Sequence, residues 1–343
     1  MFSGAPKFGL AQVNEGQIAQ GLLELDKLVP ATVDLLGANH PRVSKTAHLV
    51  GNAKLNAGDV PGAIAAFRHS VAVEDTLQGS QSSFNRGMAR YFLAAALIAA
   101  RRSADALPLL DETLALLRAS VGPTSTRTLR AVSVHAWQLA RAGQLTESEA
   151  EFKTLESVPW SATDLAAHQG RLADLRGLQG RHAEALALAQ SADAAPGATL
   201  RKDQRARALA RLGAARLNAQ GSGSAAQALQ SLQEARALYA AAQLGMSPDL
   251  AEVLVALGRA QLQLGDAETA VRSLTDAAAL WSAFDPGNRH TGLAQLHLAQ
   301  ALWAQGDKRA ATAALRQADT LLARSVFVAD RTLLQSTKNR LAG

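Results

Sequence analysis

The segment LLGANHPRVSKT, residues 35–46, concentrates residue types that catalytic sites use. His40 precedes a proline, and Ser44 and Lys45 follow it closely. Histidine, serine and lysine are the side chains of general acid–base and nucleophilic catalysis. Two interpretations of the segment are therefore open. It is either a catalytic loop or the connection between two helices, and the rest of the sequence has to decide between them.

No other pattern in the sequence supports catalysis or metal binding. The chain lacks the phosphate loop Gly-x-x-x-x-Gly-Lys-Ser/Thr, the Gly-x-Gly-x-x-Gly fingerprint and the zinc motif His-Glu-x-x-His. It has no cysteine, which excludes disulfides and thiolate metal sites. His290 and His297 could share a helix face, but no acidic residue accompanies them at ligand spacing. We predict a protein that is not an enzyme and that holds no cofactor or metal.

The chain carries a net charge of +6, with 35 Lys and Arg against 29 Asp and Glu. An acidic partner and an arginine-rich coding bias both explain this excess, and both interpretations stay open. The densest basic cluster predicts a helix with a solvated cationic face, and it consists of Arg201, Lys202, Arg205, Arg207, Arg211 and Arg216. Because no long basic track with interleaved aromatic residues is present, we expect no nucleic-acid partner.

Membrane insertion and secretion are not indicated by the sequence. The longest apolar run, 91–100, has about ten residues and is too short to span a bilayer. The first residues, MFSGAPKFGL, lack the basic start and apolar core of a signal peptide. We therefore expect a cytoplasmic protein that does not contact membranes.

A repeated pattern defines the elements that must position any functional residue. The stretches LVGNAKLNAGDVPGAIAAF (49–67) and VALGRAQLQLGDAETAVRSL (255–274) share a small residue, a Gly-Asp turn, an alanine and then a bulky apolar residue. The turns recur mostly every 41 to 44 residues, near Gly58, Arg101, Gly143, Gly180, Gly221, Gly265 and Gly306. Apolar residues at steps of three and four predict a helix on each side of every turn. Each unit is thus a helical hairpin, with an A helix before the turn and a B helix after it.

These residues resemble the tetratricopeptide repeat (TPR) family. The period exceeds the usual repeat of about 34 residues and is similar to the long form found in kinesin light chains and many bacterial signalling proteins. The linker of that form commonly reads Leu-Gly-x-x-His-Pro-x-Val, and this chain has LLGANHPRV at 35–43. The resemblance implies an all-α, right-handed superhelical solenoid of stacked antiparallel helix pairs, in which neighbouring hairpins bury one another's apolar faces.

In this interpretation residues 1–37 are a partial N-terminal repeat, 38–325 form about seven hairpins in one continuous solenoid, and 326–343 form a C-terminal capping helix. Gly9 and Gly16 lie 42 residues before Gly51 and Gly58, which indicates a chain that begins inside an A helix. We therefore expect a fragment of a longer protein, and apolar surface on its first helix pair could promote self-association. A short first helix that itself caps the array is the alternative.

The resemblance also implies where a partner would bind, because A helices line the concave surface of TPR arrays. The inward positions mix Arg, Asn and aromatic side chains, which can recognise peptide carboxylates and backbone and can anchor a peptide. They are Lys45, His48, Asn52, Asn56, Tyr91, Ile98, Arg130, Trp137, Arg141, Asp174, Arg207, Asn218, Glu252, Arg259, Gln263, Gln300 and Trp303. The alternative is that these are ordinary solvent-facing residues, with Trp137 and Trp303 in the core.

Two functional hypotheses follow. The first is a non-catalytic protein–protein interaction scaffold that binds a peptide or protein segment, with some acidic character, in its concave groove. The second is a regulatory or sensor segment of a larger bacterial signalling protein, a Ser/Thr kinase or a DNA-binding regulator, which acts on its own missing domain. In both, LLGANHPRVSKT is a connection in which Gly37 ends a helix, His40 caps the next and Pro41 lies in its first turn.

Overall fold

The computed structural model describes residues 18–77, 82–195, 200–219, 223–241 and 247–342. Every regular element within these ranges is an α-helix, which confirms the predicted all-α class. The helices pack in consecutive pairs. The two helices of each pair follow one another in the chain and contact each other as a hairpin. The chain forms two compact units, 1–157 (unit 1) and 158–343 (unit 2).

The described part of unit 1, from residue 18 onward, has two short helices followed by three hairpins. Its helices are α1 (Ile18–Asp26), α2 (Leu28–Leu36), α3 (Pro41–Asn56), α4 (Val60–Thr76), α5 (Ser82–Ala99), α6 (Ser103–Val121), α7 (Thr126–Arg141) and α8 (Leu145–Lys153). The A helices of this unit are α3, α5 and α7, and the B helices are α4, α6 and α8.

Among its described residues, unit 2 has four hairpins and a closing helix. Its helices are α9 (Ala162–Leu178), α10 (His182–Asp193), α11 (Lys202–Ala219), α12 (Ser224–Ala241), α13 (Pro248–Gln263), α14 (Ala267–Phe284), α15 (Arg289–Gln305), α16 (Lys308–Leu322) and α17 (Val328–Ala342). The A helices are α9, α11, α13 and α15. The extent of one continuous array, and the status of residues 1–37 as a partial repeat, stay predictions, and Gly9 and Gly16 lie outside the described residues.

The turns between A and B helices have the backbone conformation that the pattern predicts. Positive φ angles occur at each predicted turn residue that the structure describes, for example +82° at Gly58 and +84° at Gly265. Arg101 adopts φ +59° at the equivalent turn although it has a side chain, which is strained for an L-residue. Gly221 lies outside the described residues. The left-handed turn reverses the chain, and this brings the B helix back along the A helix.

The small residue before each turn lets the two helices of a hairpin approach closely. A Cβ atom added at Gly258 would lie 2.3 Å from Leu274 Cγ, and one at Gly51 would lie 2.7 Å from Phe67 Cε1. The bulky B-helix residue therefore presses on the A-helix backbone, as the sequence pattern predicts. Phe67 and Leu274 are both fully buried.

The segment 35–46 is the connection between α2 and α3. Gly37 has φ +85°, and the ring of His40 accepts a hydrogen bond of 3.1 Å from the backbone N–H of Arg42. Ser44 is buried, and its hydroxyl lies 3.0 Å from Ser70 Oγ and donates to Glu74 Oε1 at 2.6 Å. A buried hydroxyl bonded between two helices cannot reach a substrate, so the helix-connection interpretation is confirmed.

Each unit has its own apolar core. In unit 1 the core surrounds Phe67, Leu97 and Leu110, and in unit 2 it surrounds Leu232 and Trp281. Alanines between the larger residues allow the helices to pack closely. In the ranges that the structure describes, no helix combines the length and apolar character needed to cross a membrane.

Candidate functional site

The A helices of unit 1 present one surface, which we name the α3–α5–α7 face. Its partly or fully exposed side chains include Lys45, Asn56, Phe84, Tyr91, Arg130 and Trp137. Steps of three and four residues place Lys45 and Asn56 on the same side of α3 as the half-buried His48 and Asn52. The predicted α3 positions therefore do form one stripe.

His48 joins α3 to α5 within this face. Its Nε2 lies 2.9 Å from Asn52 Nδ2, and its ring centroid lies 4.3 Å from that of Phe92, edge to face. Burial lowers the pKa of His48, which favours the neutral ring at neutral pH. His48 therefore contacts both Asn52 of its own helix and Phe92 of α5.

The remaining predicted positions of unit 1 lie on α5 and α7. Tyr91 packs edge-on against Phe92 with ring centroids 5.6 Å apart, and the guanidinium of Arg141 lies 5.3 Å from the centroid of Trp137. Tyr91 and Trp137 both pack against the core of unit 1, half-buried, and Arg130 is exposed. Ile98 is buried, so its predicted place on the groove surface is wrong.

A cation–π contact that the sequence interpretation missed joins α5 to α7. The guanidinium of Arg127 lies 5.3 Å from the centroid of Phe84. Phe84 and Tyr91 are seven residues apart on α5, as are Arg130 and Trp137 on α7, so each pair occupies one side of its helix. Two consecutive turns of each helix thus contribute to the face.

In unit 2 the predicted groove arginines bind side chains of their own unit. Arg207 in α11 forms ion pairs with Asp203 in the same helix and with Asp249 in α13, the latter at 3.6 Å. Burial opposes the charge on Arg207, but Asp249 and Asp203 outweigh it and raise the pKa of the guanidinium. Asp174 in α9 accepts hydrogen bonds from Arg211 Nε at 3.0 and 3.2 Å.

A second set of contacts runs from α11 to α17. Arg259 Nη2 donates to Asn218 Oδ1 at 2.7 Å, and burial lowers the pKa of Arg259. Burial and the nearby charge of Arg259 lower the pKa of His297 to about 3. His297 Nδ1 lies 3.1 Å from Gln300 Oε1, and Gln300 Nε2 donates to Thr337 Oγ1 at 2.7 Å. These predicted groove residues therefore connect neighbouring repeats.

Three other predicted positions have different surroundings. Gln263 is exposed at the end of α13. Trp303 is half-buried, and Lys308 Nζ lies 4.9 Å from its ring centroid. Glu252 Oε1 lies 3.9 Å from His290 Nδ1, and the His290 ring stacks on Trp281 with centroids 4.8 Å apart. His290 and His297 are thus engaged separately, and no cluster of potential metal ligands occurs among the described residues.

The pairs in unit 2 share a spacing that sequence analysis could have used. Asn218 and Arg259 are 41 residues apart, Asp174 and Arg211 are 37 apart, and Arg289 and Asp330 are 41 apart. One repeat period separates equivalent positions on consecutive A helices, so a hydrogen-bond donor and an acceptor at that spacing indicate a bond between repeats. The basic cluster around α11 also forms local ion pairs: Arg205 binds Asp193, and Arg201 binds Asp203.

Comparison with known proteins shows a shared fold at low sequence identity. No family model matches the sequence, and none of the curated proteins compared matches it. A monomeric IFIT1 mutant with m7Gppp-AAAA has a TM-score of 0.57 and 14% identity, over 98% of this chain and 71% of that chain. The APC/C hetero-tetramer Cut9–Hcn1 has a TM-score of 0.50 and 14% identity, over 98% and 85%.

Nearly identical TPR-like repeats of a kinesin light chain from Podosopora anserina match with 19% identity, over 72% of this chain and 98% of that chain, at a TM-score of 0.29. The likeness to the IFIT1 and Cut9–Hcn1 structures shows a TPR-like helical-repeat fold for this chain.

Proposed function

We propose that this TPR-like chain is a non-catalytic interaction scaffold that binds a peptide or protein segment on its A-helix faces. One observation carries the proposal. The neighbouring helices α3, α5 and α7 place partly exposed aromatic, amide and cationic side chains side by side, among them Tyr91, Asn56 and Lys45. Aromatic residues and arginine are the types that most often dominate binding energy at protein interfaces. The TPR-like solved structures agree with a protein-interaction role in general.

Selection from a phage-displayed random peptide library tests this function. The full chain is immobilised, enriched peptides are synthesised with a photo-reactive residue, and the cross-linked positions are mapped. We expect a shared peptide motif and cross-links on A helices. Absence of any enriched sequence, or cross-links confined to B helices, would contradict the scaffold function.

A pair of aromatic substitutions sharpens the test. Tyr91→Ala removes a half-buried ring from the α3–α5–α7 face and should weaken binding of the selected peptide by about tenfold, a loss typical of an interface anchor. Phe284→Ala removes an exposed ring from the B helix α14 and should leave affinity unchanged. Equal affinities of the two variants would place the binding surface elsewhere.

Regulation of a domain in a longer parent protein is the alternative function. It predicts that the genomic reading frame continues upstream of Met1 into a Ser/Thr kinase or DNA-binding domain. A stop codon directly upstream of Met1, in frame, would contradict it. A cytoplasmic location also stays a prediction, and fractionation of the source cells tests it.

Self-association is a further prediction. Leu23 in α1 and Leu35 in α2 are 63% and 61% exposed, and burial of such side chains between two copies would be favourable. We expect Leu23→Glu together with Leu35→Glu to shift the chain toward monomer in sedimentation velocity. Identical sedimentation of the double variant and the wild type would exclude this surface as a contact.

A further inference from the structure

Charge is segregated between the A and B helices of unit 1. The A helices α3, α5 and α7 carry three, two and three lysines and arginines, respectively, and none of them contains an aspartate or glutamate. Within the part of unit 1 that the structure describes, the acidic residues lie on α1, α2 and the B helices, and outside the helices at Asp59 and Glu156. The A-helix side of unit 1 is therefore cationic by composition.

Two of these cations point toward helices other than the A helices. Arg90 in α5 bonds Asp75 in α4 at 2.9 Å and Glu112 in α6 at 2.5 Å. Lys54 in α3 forms ion pairs with Asp26 and Asp59. These pairs connect helices within unit 1 and contribute little positive potential to the face.

Three other cations are exposed side chains of the α3–α5–α7 face. Lys45 begins the α3 stripe, Arg130 begins the α7 stripe, and Arg127 lies over Phe84 of α5. Contacts between consecutive A helices here include rings and cations, namely His48 with Phe92 and Arg127 with Phe84.

Unit 2 differs at the equivalent positions. Its A helices carry carboxylates that pair with arginines of a neighbouring A helix, as Asp174 does with Arg211 and Asp249 with Arg207. The closing helix continues this arrangement, because Asp330 binds Arg289 of α15. The cations of these pairs are neutralised within the unit, so a negatively charged partner gains less there.

We propose that the α3–α5–α7 face of unit 1 binds an acidic segment of a protein partner, with Lys45, Arg127 and Arg130 as contacts for its carboxylates. This inference rests on the proposed scaffold function and adds the location and the partner's chemistry. Exposed cations on a face whose helices lack acidic residues give complementarity to carboxylates and favour encounter. A peptide also matches the half-exposed Tyr91 and Trp137, which can pack against apolar side chains between its acidic residues.

A single-stranded nucleic acid fits the face less well. Its recognition relies on bases that stack on open aromatic faces. Here Arg127 lies over Phe84, Arg141 lies over Trp137, and His48 packs on Phe92. The rings are thus engaged by side chains of the chain itself, whereas carboxylates need only the exposed cations.

Fluorescence anisotropy with the full chain tests the proposal. The probe is a fluorescein-labelled peptide of repeated Glu-Ser-Leu-Glu units, compared with the same peptide carrying Gln for Glu, at ~0.05 and ~0.15 M salt. We expect at least about tenfold tighter binding of the acidic peptide at the lower salt concentration, with a smaller difference at the higher one.

Two matched variants locate the site. Lys45→Ala, Arg127→Ala and Arg130→Ala together remove three exposed cations of the face. Arg309→Ala, Arg316→Ala and Arg324→Ala together remove three exposed cations on and after the B helix α16. We expect about tenfold weaker binding of the acidic peptide for the first variant and less than about twofold change for the second. Circular dichroism checks the fold, and the single exposed substitution Lys45→Glu replaces the first variant if that variant unfolds.

The outcomes separate the inference from the function on which it rests. Equal losses in both triple variants would mean binding by net charge alone and would overturn the inference. Tighter, face-dependent binding of a labelled RNA oligonucleotide than of the peptide would also overturn it. If library-selected peptides bind with an affinity that the loss of these three cations does not change, the scaffold function is supported and the acidic site is contradicted. If neither library-selected nor acidic peptides bind, both proposals are contradicted.

Discussion

Arg259 in α13 donates a hydrogen bond of 2.7 Å from Nη2 to Oδ1 of Asn218 in α11, a residue 41 positions earlier in the chain. The sequence interpretation assigned both residues to a partner-binding groove. In the structure they bind each other, and their separation is one repeat period. A side chain that faces the next A helix can either bind a ligand or bond to that helix. In unit 2 several such side chains form bonds between neighbouring A helices.

The bond between Arg289 and Asp330 should be important for anchoring α17. Asp330 is 4% exposed and accepts hydrogen bonds from Arg289 Nε at 2.5 Å and Nη2 at 2.7 Å. Arg289→Ala leaves a buried carboxylate without its cation and should lower the free energy of unfolding by about 3 kcal/mol. Urea denaturation measures this change, and hydrogen exchange should show faster opening of α17.

Arg272→Ala is the matched control for that prediction. Arg272 pairs with Glu268 on the surface of α14, where the two side chains are 64% and 72% exposed. An exposed pair contributes little, so the expected change is within about 0.5 kcal/mol. Similar losses in both variants would show that burial of Asp330 does not determine the effect.

Close approach of α13 and α14 predicts a large effect from a single methyl group. The Cβ of alanine at 258 would lie 2.3 Å from Leu274 Cγ, and Leu274 is fully buried. Gly258→Ala should therefore destabilise the chain by about 1–3 kcal/mol through overpacking.

Gly177→Ala provides the opposite expectation, because nothing lies within 4 Å of an added Cβ in α9. It should raise the free energy of unfolding by about 0.5–1 kcal/mol, since alanine loses less backbone entropy than glycine in a helix. Thermal and urea unfolding of both variants measure the difference. A stabilising Gly258→Ala would show that the helices can separate at no cost.

Two buried histidines make stability dependent on pH. Burial and Arg259 lower the pKa of His297 to about 3, and burial and Arg171 lower the pKa of His168 to about 4. In the unfolded chain both pKa values return to about 6.5, so the unfolded state binds more protons below that pH. Stability contributed by the neutral rings is present above pH ~6.5 and is lost as pH falls toward the folded values.

His297→Gln tests the larger of the two contributions. Between pH ~7.5 and ~5 the wild type should lose about 2 kcal/mol at His297 alone, from 1.36 kcal/mol for each unit of pKa difference. The variant keeps a polar side chain without a titrating ring, so its unfolding free energy should change less over this range. The same pH dependence in variant and wild type would contradict the assignment.

The turn at Arg101 should tolerate glycine better than arginine. Arg101 has φ +59°, whereas the equivalent turn residues Gly58 and Gly265 are glycines with φ +82° and +84°. Arg101→Gly relieves left-handed strain and should stabilise the chain by up to about 1 kcal/mol. Gly265→Ala introduces the same strain where an added Cβ meets no atom within 4 Å, and should destabilise by about 1 kcal/mol. Opposite signs in thermal unfolding would support this account, and loss of stability in both would contradict it for Arg101.

Much of the fold could be predicted because its determinants are local in sequence. The positive φ at Gly37, the cap at His40 and the contact between Gly51 and Phe67 each depend on residues within one hairpin or its linker. Hydrogen-bond geometry and helix periodicity fix such features without reference to the rest of the chain. The TPR-like pattern then predicted that the hairpins pack on one another.

The partners of polar side chains were much less predictable. Glu151 in α8, for example, lies with Oε1 2.9 Å from His135 Nδ1 in α7, a contact that no repeat pattern indicates. His48 and Asn52 were correctly assigned to one side of α3, but their mutual contact and the packing of His48 on Phe92 were not foreseen. A helical wheel gives the direction of a side chain relative to its own axis only.

The sequence by itself determined an all-α repeat, its turns, its small and large packing positions and the absence of acidic residues from α3, α5 and α7. These follow from local backbone preference and from the period of the pattern. Only the tertiary structure decided that Arg207 and Arg259 are engaged within unit 2, while Lys45 lies exposed in unit 1. The reason is that an ion pair between repeats depends on the distance and rotation between two helices about 40 residues apart, which no single repeat specifies.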